Sequence, residues 1–460
     1  MRLKRMIFCV IFLVIFIVIV GTFKFAYTFI QLLNHVDIHK IKVRPVLGRS
    51  FNTRTDDKKA VLRELTTDDY LNHTYIELKP IRIERLRVFV YSAVLQNSKS
   101  TEDNILDVRI QAIKHQYDDP VFQCCLRAGN GNLIASTAAQ LFRLFQQGQF
   151  QSAVYSCRSN VTDLNIEFVS FKINCAASDN EERLQVLPSE VPKGDIAICV
   201  HAVYGYVDPE LIAEWMEIMW LQGVRRIFVY PLKTIDHVDE RTMKVFKFYE
   251  ARGLVRLIPY ELAVLGKDLG FRRFKANHRT YQMFSDEFVP IYDCQSRASN
   301  YKYTMVMDFD EIIVNPEQPL QLLPTLNHLL RQNPFAAYFT FHVENFVKNW
   351  GETNPGSDLV LMKYINRSRA MYDRPKAVYV KGRTADFTMH NSLPAKGFKR
   401  IMVPVSTATI HHYTSCRYRW SREFCLVQLS RFEDKSLLQI ESLLTERMKN
   451  VPEDIRNPEV

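Results

Sequence analysis

Glycine and proline are sparse in this 460-residue chain, 15 and 19 residues, which excludes a collagen-like or low-complexity polypeptide. No Gly-x-Gly-x-x-Gly and no Gly-x-x-x-x-Gly-Lys-Ser/Thr occurs, so neither a dinucleotide-binding turn nor a P-loop is supported. The absence of Cys-x-x-Cys argues against a zinc ribbon or a thioredoxin-like centre. There is no long basic block. Net charge is +10, and setting aside Arg2, Lys4, Arg5 and Lys24 at the N-terminus leaves +6, spread thinly. Nucleic-acid recognition is therefore not implied. No internal repeat is found. What is present is a globular composition, 47% apolar and 24% charged, long enough for several domains or one large α/β domain with extensions.

The exception to an ordinary globular pattern lies at the N-terminus. Arg2, Lys4 and Arg5 precede an uncharged apolar run from Met6 to Phe23, which spans about 27 Å as a helix, nearly a bilayer. The run is too long for a secretory h-region, and Val20-Gly21-Thr22-Phe23 is a poor cleavage site, so an uncleaved signal anchor is expected. Cations on its N-terminal flank would stay cytoplasmic, giving type II topology with the rest of the chain translocated. The expected layout is a cytoplasmic tail at 1–6, a membrane helix at 7–29 and a polar stem at 30–79. Two features agree with a lumen. Sequons stand at Asn72, Asn160 and Asn366, and Cys9 leaves an even eight cysteines beyond the anchor, suited to an oxidising compartment.

From Ile81 to Tyr91 apolar and polar residues alternate with the period of a half-buried strand, and Phe168 to Ile173 repeats the pattern. Residues 80–190 thus read as a smaller β-rich module. Beyond Pro192 the rhythm becomes strand, helix, strand, helix. Ile196–Val200, Arg226–Tyr230 and Leu254–Ile258 are short apolar runs, separated by a helix opening at Asp208-Pro209 and stopped by Gly223, and by a second helix from Val238 to Ala251. This alternation predicts a doubly wound parallel α/β sheet over 191–450, with ligands at the carboxyl ends of its strands.

The segment Tyr303-Thr-Met-Val-Met-Asp308-Phe309-Asp310-Glu311 is the most informative. An apolar strand running into Asp-x-Asp places two hard oxygen ligands where Mn²⁺ or Mg²⁺ could be held against a diphosphate; an acidic surface turn is the alternative. A dehalogenase-type nucleophile would need Thr or Val where Ile312 stands, and an EF-hand would need Gly in place of Ile313, so both of those readings fail.

Cys199–Tyr230, Tyr292–Val314 and Ala408–Arg417 together resemble glycosyltransferase family 92, over roughly Pro192 to Arg422. The resemblance implies a GT-A fold, a UDP-sugar donor, an Mn²⁺ cofactor and inversion at the sugar carbon, and animal members include galactosyltransferases acting on N-glycan core fucose. It also implies that Asp308 and Asp310 are the Asp-x-Asp pair, with Glu311 beside them. A histidine after the last strand often completes such a metal site, which favours His412 of the His411-His412-Tyr413 run over His390.

The inverting base should be an acid near the acceptor hydroxyl. Glu344, Glu352, Asp358 and Asp386 are candidates, with Glu352 preferred for its place beside Trp350 and Gly351. His201 and Tyr204 could touch uracil or ribose, or simply pack. Arg279 could meet phosphate, or form a surface ion pair. Cys199 and Cys294 read as structural, the run Cys416–Arg422 as acceptor groove or helix start, and Leu437–Met448 as a packing helix. The leading expectation is a Golgi type II enzyme moving a hexose, galactose foremost, from a UDP-sugar to a glycan or glycoprotein. The alternatives are a non-catalytic luminal glycan-binding protein that keeps the fold, and a metal-dependent phosphohydrolase.

Overall fold

The computed structural model describes residues 76–456, except 84–85, 97–104, 146–148, 161–165, 176–182, 234–237, 264–286, 386, 391 and 418–419. All of these belong to one compact unit. The expected tail, anchor and nearly all of the stem lie outside the described residues. Among the described residues no helix is long and apolar enough to cross a membrane.

The first nine strands are β1 (Ile81–Arg82), β2 (Val88–Gln96), β3 (Leu106–His115), β4 (Gln123–Arg127) and β5 (Leu133–Ala138), then β6 (Gln140–Phe145), β7 (Phe150–Ser159), β8 (Phe168–Lys172) and β9 (Leu184–Pro188). They form one sheet in the order β5-β4-β8-β9-β2-β3-β7-β6, with β1 beside β2. The strand expected over Ile81–Tyr91 is in fact a hairpin, in which Ile81 pairs with Val90 and Arg82 with Phe89. The sequence carries the reason: the apolar phase is odd at Ile81 and Ile83 but even at Leu86, Val88 and Val90, so the chain must turn between them to keep one face buried. Successive side chains on a strand point to opposite faces. Cys124 accordingly pairs with Cys157 and its neighbour Cys125 with Cys175.

The second part contains β10 (Ile196–Val203), α1 (Pro209–Leu221), β11 (Val224–Pro231), α2 (Glu240–Ala251), β12 (Val255–Leu257), α3 (Phe288–Arg297) and β13 (Tyr303–Val306). After these come β14 (Glu311–Val314), α4 (Leu322–Gln332), β15 (Ala336–Thr340), β16 (Val343–Val347), β17 (Asn366–Arg367) and β18 (Ala377–Val380). The chain closes with β19 (Lys399–Met402), β20 (Thr409–Thr414), β21 (Phe432–Glu433) and α5 (Glu441–Met448). Asp208 caps α1 by accepting from the Glu210 and Leu211 amides, with Pro209 in the first turn, and Gly223 ends it at φ +92°. Asp239 caps α2 in the same way, two residues later than the sequence pattern suggested. The expected packing helix at Leu437 opens as a 3-10 turn, and Leu444 and Met448 of α5 enter the core shared with α1.

Strand order in the main sheet is β12-β11-β10-β13-β18-β15-β19. β10 to β13 are parallel, whereas β18 runs antiparallel to both β13 and β15. The sheet is therefore mixed rather than wholly parallel. From β10 the order proceeds outward to β11 and β12 on one side and jumps to β13 on the other, so the carboxyl ends of β10 and β13 flank the switch point where open α/β sheets bind ligands. A buried disulfide from Cys199 on β10 to Cys294 ties α3 to this interior strand.

A third sheet, β14-β20-β16-β17-β21, follows directly from the turn after β13. In it Glu344 lies opposite His411 and Asn345 opposite His412, so the two pairs occupy opposite faces. The two parts of the unit are joined through Asp293 on α3, which is wholly buried and accepts from Ser92 of β2 (2.6 Å), Tyr230 (2.9 Å) and Arg297 (2.6 Å). Three donor residues, from both parts, thus meet on one buried carboxylate.

Candidate functional site

Asp308 and Asp310 stand at the carboxyl end of β13, and Phe309 between them is the anchor. Its ring is buried against Trp215 of α1 and Phe246 of α2, while Trp215 donates its indole N–H to the Glu311 carbonyl at 2.8 Å. An apolar residue driven into the helical layer turns both flanking carboxylates outward, and they remain about one third exposed, 38% and 34%.

Asp308 is held from two sides. His201 at the end of β10 approaches one carboxylate oxygen at 2.8 Å, and the Lys376 ammonium, just before β18, approaches the other at 3.0 Å. Lys376 also reaches Glu311 at 3.1 Å, and both of these side chains are buried. Burial alone would raise the Asp308 pKa, but Lys376 and His201 outweigh it and hold the carboxyl well below its ordinary range. Burial pushes Glu311 up against the pull of Lys376. Asp308 is thus a fixed, ionised carboxylate with lone pairs left over.

Asp310 has a different partner. His412 Nε2 lies 3.4 Å from its carboxylate, placed by β20 pairing in which His412 opposes Glu311 and the Tyr413 amide donates to the Asp310 carbonyl. Arg417 donates to His412 Nδ1 at 2.9 Å and to Asn345 at 2.9 Å, and pairs with Asp373. A guanidinium only donates, so Nδ1 must accept and the neutral ring carries its proton on Nε2. His412 Nε2, the nitrogen expected to meet a metal, thereby faces the Asp310 carboxylate. Asp308 and Asp310 are two partly exposed hard oxygen donors at a strand end that fit a divalent cation, with His412 beside them.

A second group of metal-capable side chains, Glu344, His411 and Asp434, brings its ligand atoms within 4.8 Å of one another on the opposite face of the third sheet. Its charge is already answered: Arg367 pairs with both Glu344 and Asp434 at 2.9 Å, and Thr409 and Ser436 donate to the same carboxylates. Glu344 is therefore an internal structural acid in this fold, walled off from the Asp308 crevice by the sheet. Burial lowers the His411 pKa to about 4. Unfolded, the ring takes its proton near pH 6.5; folded, only near 4. Between those values the unfolded chain binds more protons, so stability is whole above pH 6.5 and falls as pH drops toward 4. His411→Phe is expected to flatten that acid limb in a plot of Tm against pH, and an unaltered limb would reject this assignment.

The other expected residues are placed as follows. Glu352 is exposed beside Gly351 and raises the pKa of Tyr364, behind the larger effect of burial on that phenol; Asp358 is exposed. His390 hydrogen-bonds the Pro375 carbonyl at 3.3 Å, and burial lowers its pKa to about 4. Tyr204 packs against the core around α3. Asn160 is exposed, while Asn366 is half-buried in β17, with Ser368 of its sequon wholly buried against Asn345. Asn72, Arg279 and Asp386 lie outside the described residues. Lys376 was missed, although a cation abutting the apolar run Ala377–Val380 had to find a buried partner. Arg417 entered only as part of the Cys416–Arg422 run. That run opens with the Cys416–Cys425 disulfide, and Trp350 donates to the Cys425 carbonyl. Replacing both cysteines by serine is expected to cost about 2–3 kcal/mol from the short closed loop, measured by urea denaturation; a loss below about 0.5 kcal/mol would show the loop is held by its packing alone.

The model for glycosyltransferase family 92 matches residues 194–456. A beta-1,4-galactosyltransferase of Caenorhabditis elegans, galt-1, is 24% identical over 257 residues, 55% of this chain and 51% of that protein. The chain thus spans about half the length of this curated relative. With the match covering β10 to the C-terminal helices, including the crevice at Asp308 and the strand bearing His412, the chain belongs to glycosyltransferase family 92.

Proposed function

We propose that the protein is a Golgi type II glycosyltransferase that moves galactose from a UDP-sugar onto a glycan acceptor with inversion. The observation that carries this reading is the pair of exposed carboxylates at the switch point, one of them fixed and ionised by Lys376 and His201. Membership of the family supports transferase activity, and the likeness to galt-1 supports galactose. Asp308 and Asp310 would hold the divalent cation, Mn²⁺ foremost, which supplies charge neutralisation for the diphosphate.

The chain's own residues do the rest. His201 and Lys376 keep Asp308 in one rotamer and charge state, and His412, itself held by Arg417, stands beside Asp310. Arg279 is proposed to meet the diphosphate, with His201 at the crevice edge. In the transfer, an acceptor hydroxyl oxygen bonds to the anomeric carbon, the bond to the diphosphate oxygen breaks, and a carboxylate accepts the hydroxyl proton. Glu352, exposed next to Trp350, is the proposed base.

Calorimetry with UDP in the presence and absence of Mn²⁺ tests the reading. Mn²⁺-dependent UDP binding, absent in Asp310→Ala, is expected. A folded chain that binds glycans but shows no metal-dependent UDP affinity would instead be a non-catalytic glycan-binding member of the family.

A further inference from the structure

The segment that carries Lys376 to Asp308 holds a second cation that the fold leaves unused. Just before β18 the chain reads Asp373-Arg374-Pro375-Lys376, and its residues are tied to both sides of the crevice. Lys376 meets Asp308 at 3.0 Å and Glu311 at 3.1 Å. Asp373 pairs with Arg417, which donates to His412, and His412 stands 3.4 Å from Asp310. The Pro375 carbonyl accepts from His390 at 3.3 Å. Arg374 thus sits between two fastenings, one leading to each aspartate.

Its backbone is left-handed, at φ +53°, and no other non-glycine residue is so placed among the described residues. That conformation crowds Cβ against the following carbonyl oxygen, a cost glycine would avoid, and a residue before proline is in any case pushed toward extended backbone. The ties on either side impose this geometry without using the Arg374 side chain, which is exposed and makes no hydrogen bond or ion pair among the described residues. Strain retained under a side chain that holds nothing in the fold points to a use outside it.

The charge of Arg374 is felt in the crevice. Burial is the main cause lowering the pKa of both His390 and Arg417, and the positive charge of Arg374 adds to it in each case. Asp308 opposes that shift at His390, and Asp310 opposes it at Arg417, so the guanidinium acts on groups that sense each carboxylate. Lys376 is already answered by Asp308 and Glu311, and Arg417 by Asp373. Arg374 has no carboxylate of its own and is left to meet an incoming anion.

We infer that Arg374 recognises the second phosphate of the donor, its guanidinium forking onto the non-bridging oxygens of a nucleoside diphosphate held at Asp308 and Asp310. The inference rests on the donor-site reading and adds to it a residue that sets preference for a diphosphate over a monophosphate. A divalent cation held by the aspartates answers only part of a diphosphate's charge. A planar guanidinium reaches two phosphate oxygens at once, which is the geometry needed for the remainder.

The test is calorimetry of the full-length chain with UDP and with UMP at saturating Mn²⁺, repeated with Arg374→Gln and Arg374→Gly, with urea denaturation of each. The parent is expected to bind UDP more tightly than UMP. Both variants should lose about tenfold or more in UDP affinity, the scale of a hydrogen bond to a charged group, and much less for UMP, so that the preference collapses. Neither should unfold at a lower urea concentration than the parent, Arg374→Gly because it relieves the left-handed strain. A parent-like preference for UDP in Arg374→Gln, or an equal loss for UDP and UMP, would overturn the inference while loss of UDP binding in Asp310→Ala left the donor site standing. No Mn²⁺-dependent UDP binding by the folded parent would overturn both.

Discussion

Asp310→Ala is expected to reduce the proposed sugar transfer by at least about 10²–10³-fold, the scale seen when one preorganised electrostatic partner of a developing charge is removed, with almost no change in thermal stability. The asymmetry follows from where the residue sits. Its side chain is 34% exposed and its partner His412 is at 3.4 Å, a loose contact, so folding gains little from it and the substitution should cost within about 0.5 kcal/mol. Its backbone, by contrast, is fixed by the Tyr413 amide and by the buried Phe309 ring, and neither depends on the carboxylate. Steady-state transfer assays with a UDP-sugar and a melting curve would check both halves. Activity within tenfold of the parent would remove Asp310 from the site, and a collapse in Tm would mean the loss of activity says nothing about chemistry.

Lys376→Met should do the opposite and strike the fold first, by about 3–5 kcal/mol, because breaking a buried ion pair strands the charge left behind. The ammonium is buried between Asp308 and Glu311 at 3.0 and 3.1 Å, and Glu311 has no exposed face through which water could replace it. Adding Glu311→Gln to Lys376→Met should return part of the loss, since the amide needs no counter-charge. A double-mutant cycle by urea denaturation reads this as strong non-additivity. If Lys376→Met alone unfolds at the same urea concentration as the parent, the ion triad contributes nothing to stability and its part in fixing Asp308 loses support.

Much of the α/β part could be read in advance because its signals are local. Asp208-Pro209 followed by an apolar face, and a run from Tyr303 to Met307 broken by Asp308, are each contained within one element. What escaped depends on which strands become neighbours. Lys376 meets Asp308 across 68 residues because β18 inserts antiparallel beside β13, and no spacing rule spells that out. The hairpin at Ile81–Val90 is written in the phase of its apolar residues but blurred by Phe89 and Tyr91, which are apolar on the odd phase as well. Glu344 shared a polar, glycine-bearing segment with Glu352, yet strand parity sends it inward to Arg367 and His411. The pairing of eight cysteines likewise depended on the curl of the first sheet and on the β10–α3 contact.

His411 and His412 are adjacent, chemically identical, and separated by the full thickness of a sheet. One is neutral in a buried ion cluster beside Arg367, and the other fastens Asp310. A strand has a two-residue period, so a slip of β20 by one position would put one histidine in the other's place and leave Ile410 or Tyr413 in the place vacated. Within this family, an alignment shifted by a single column at this point would still match one histidine to a histidine, and that match would join opposite faces of the sheet; here the chemistry is written in odd and even numbers.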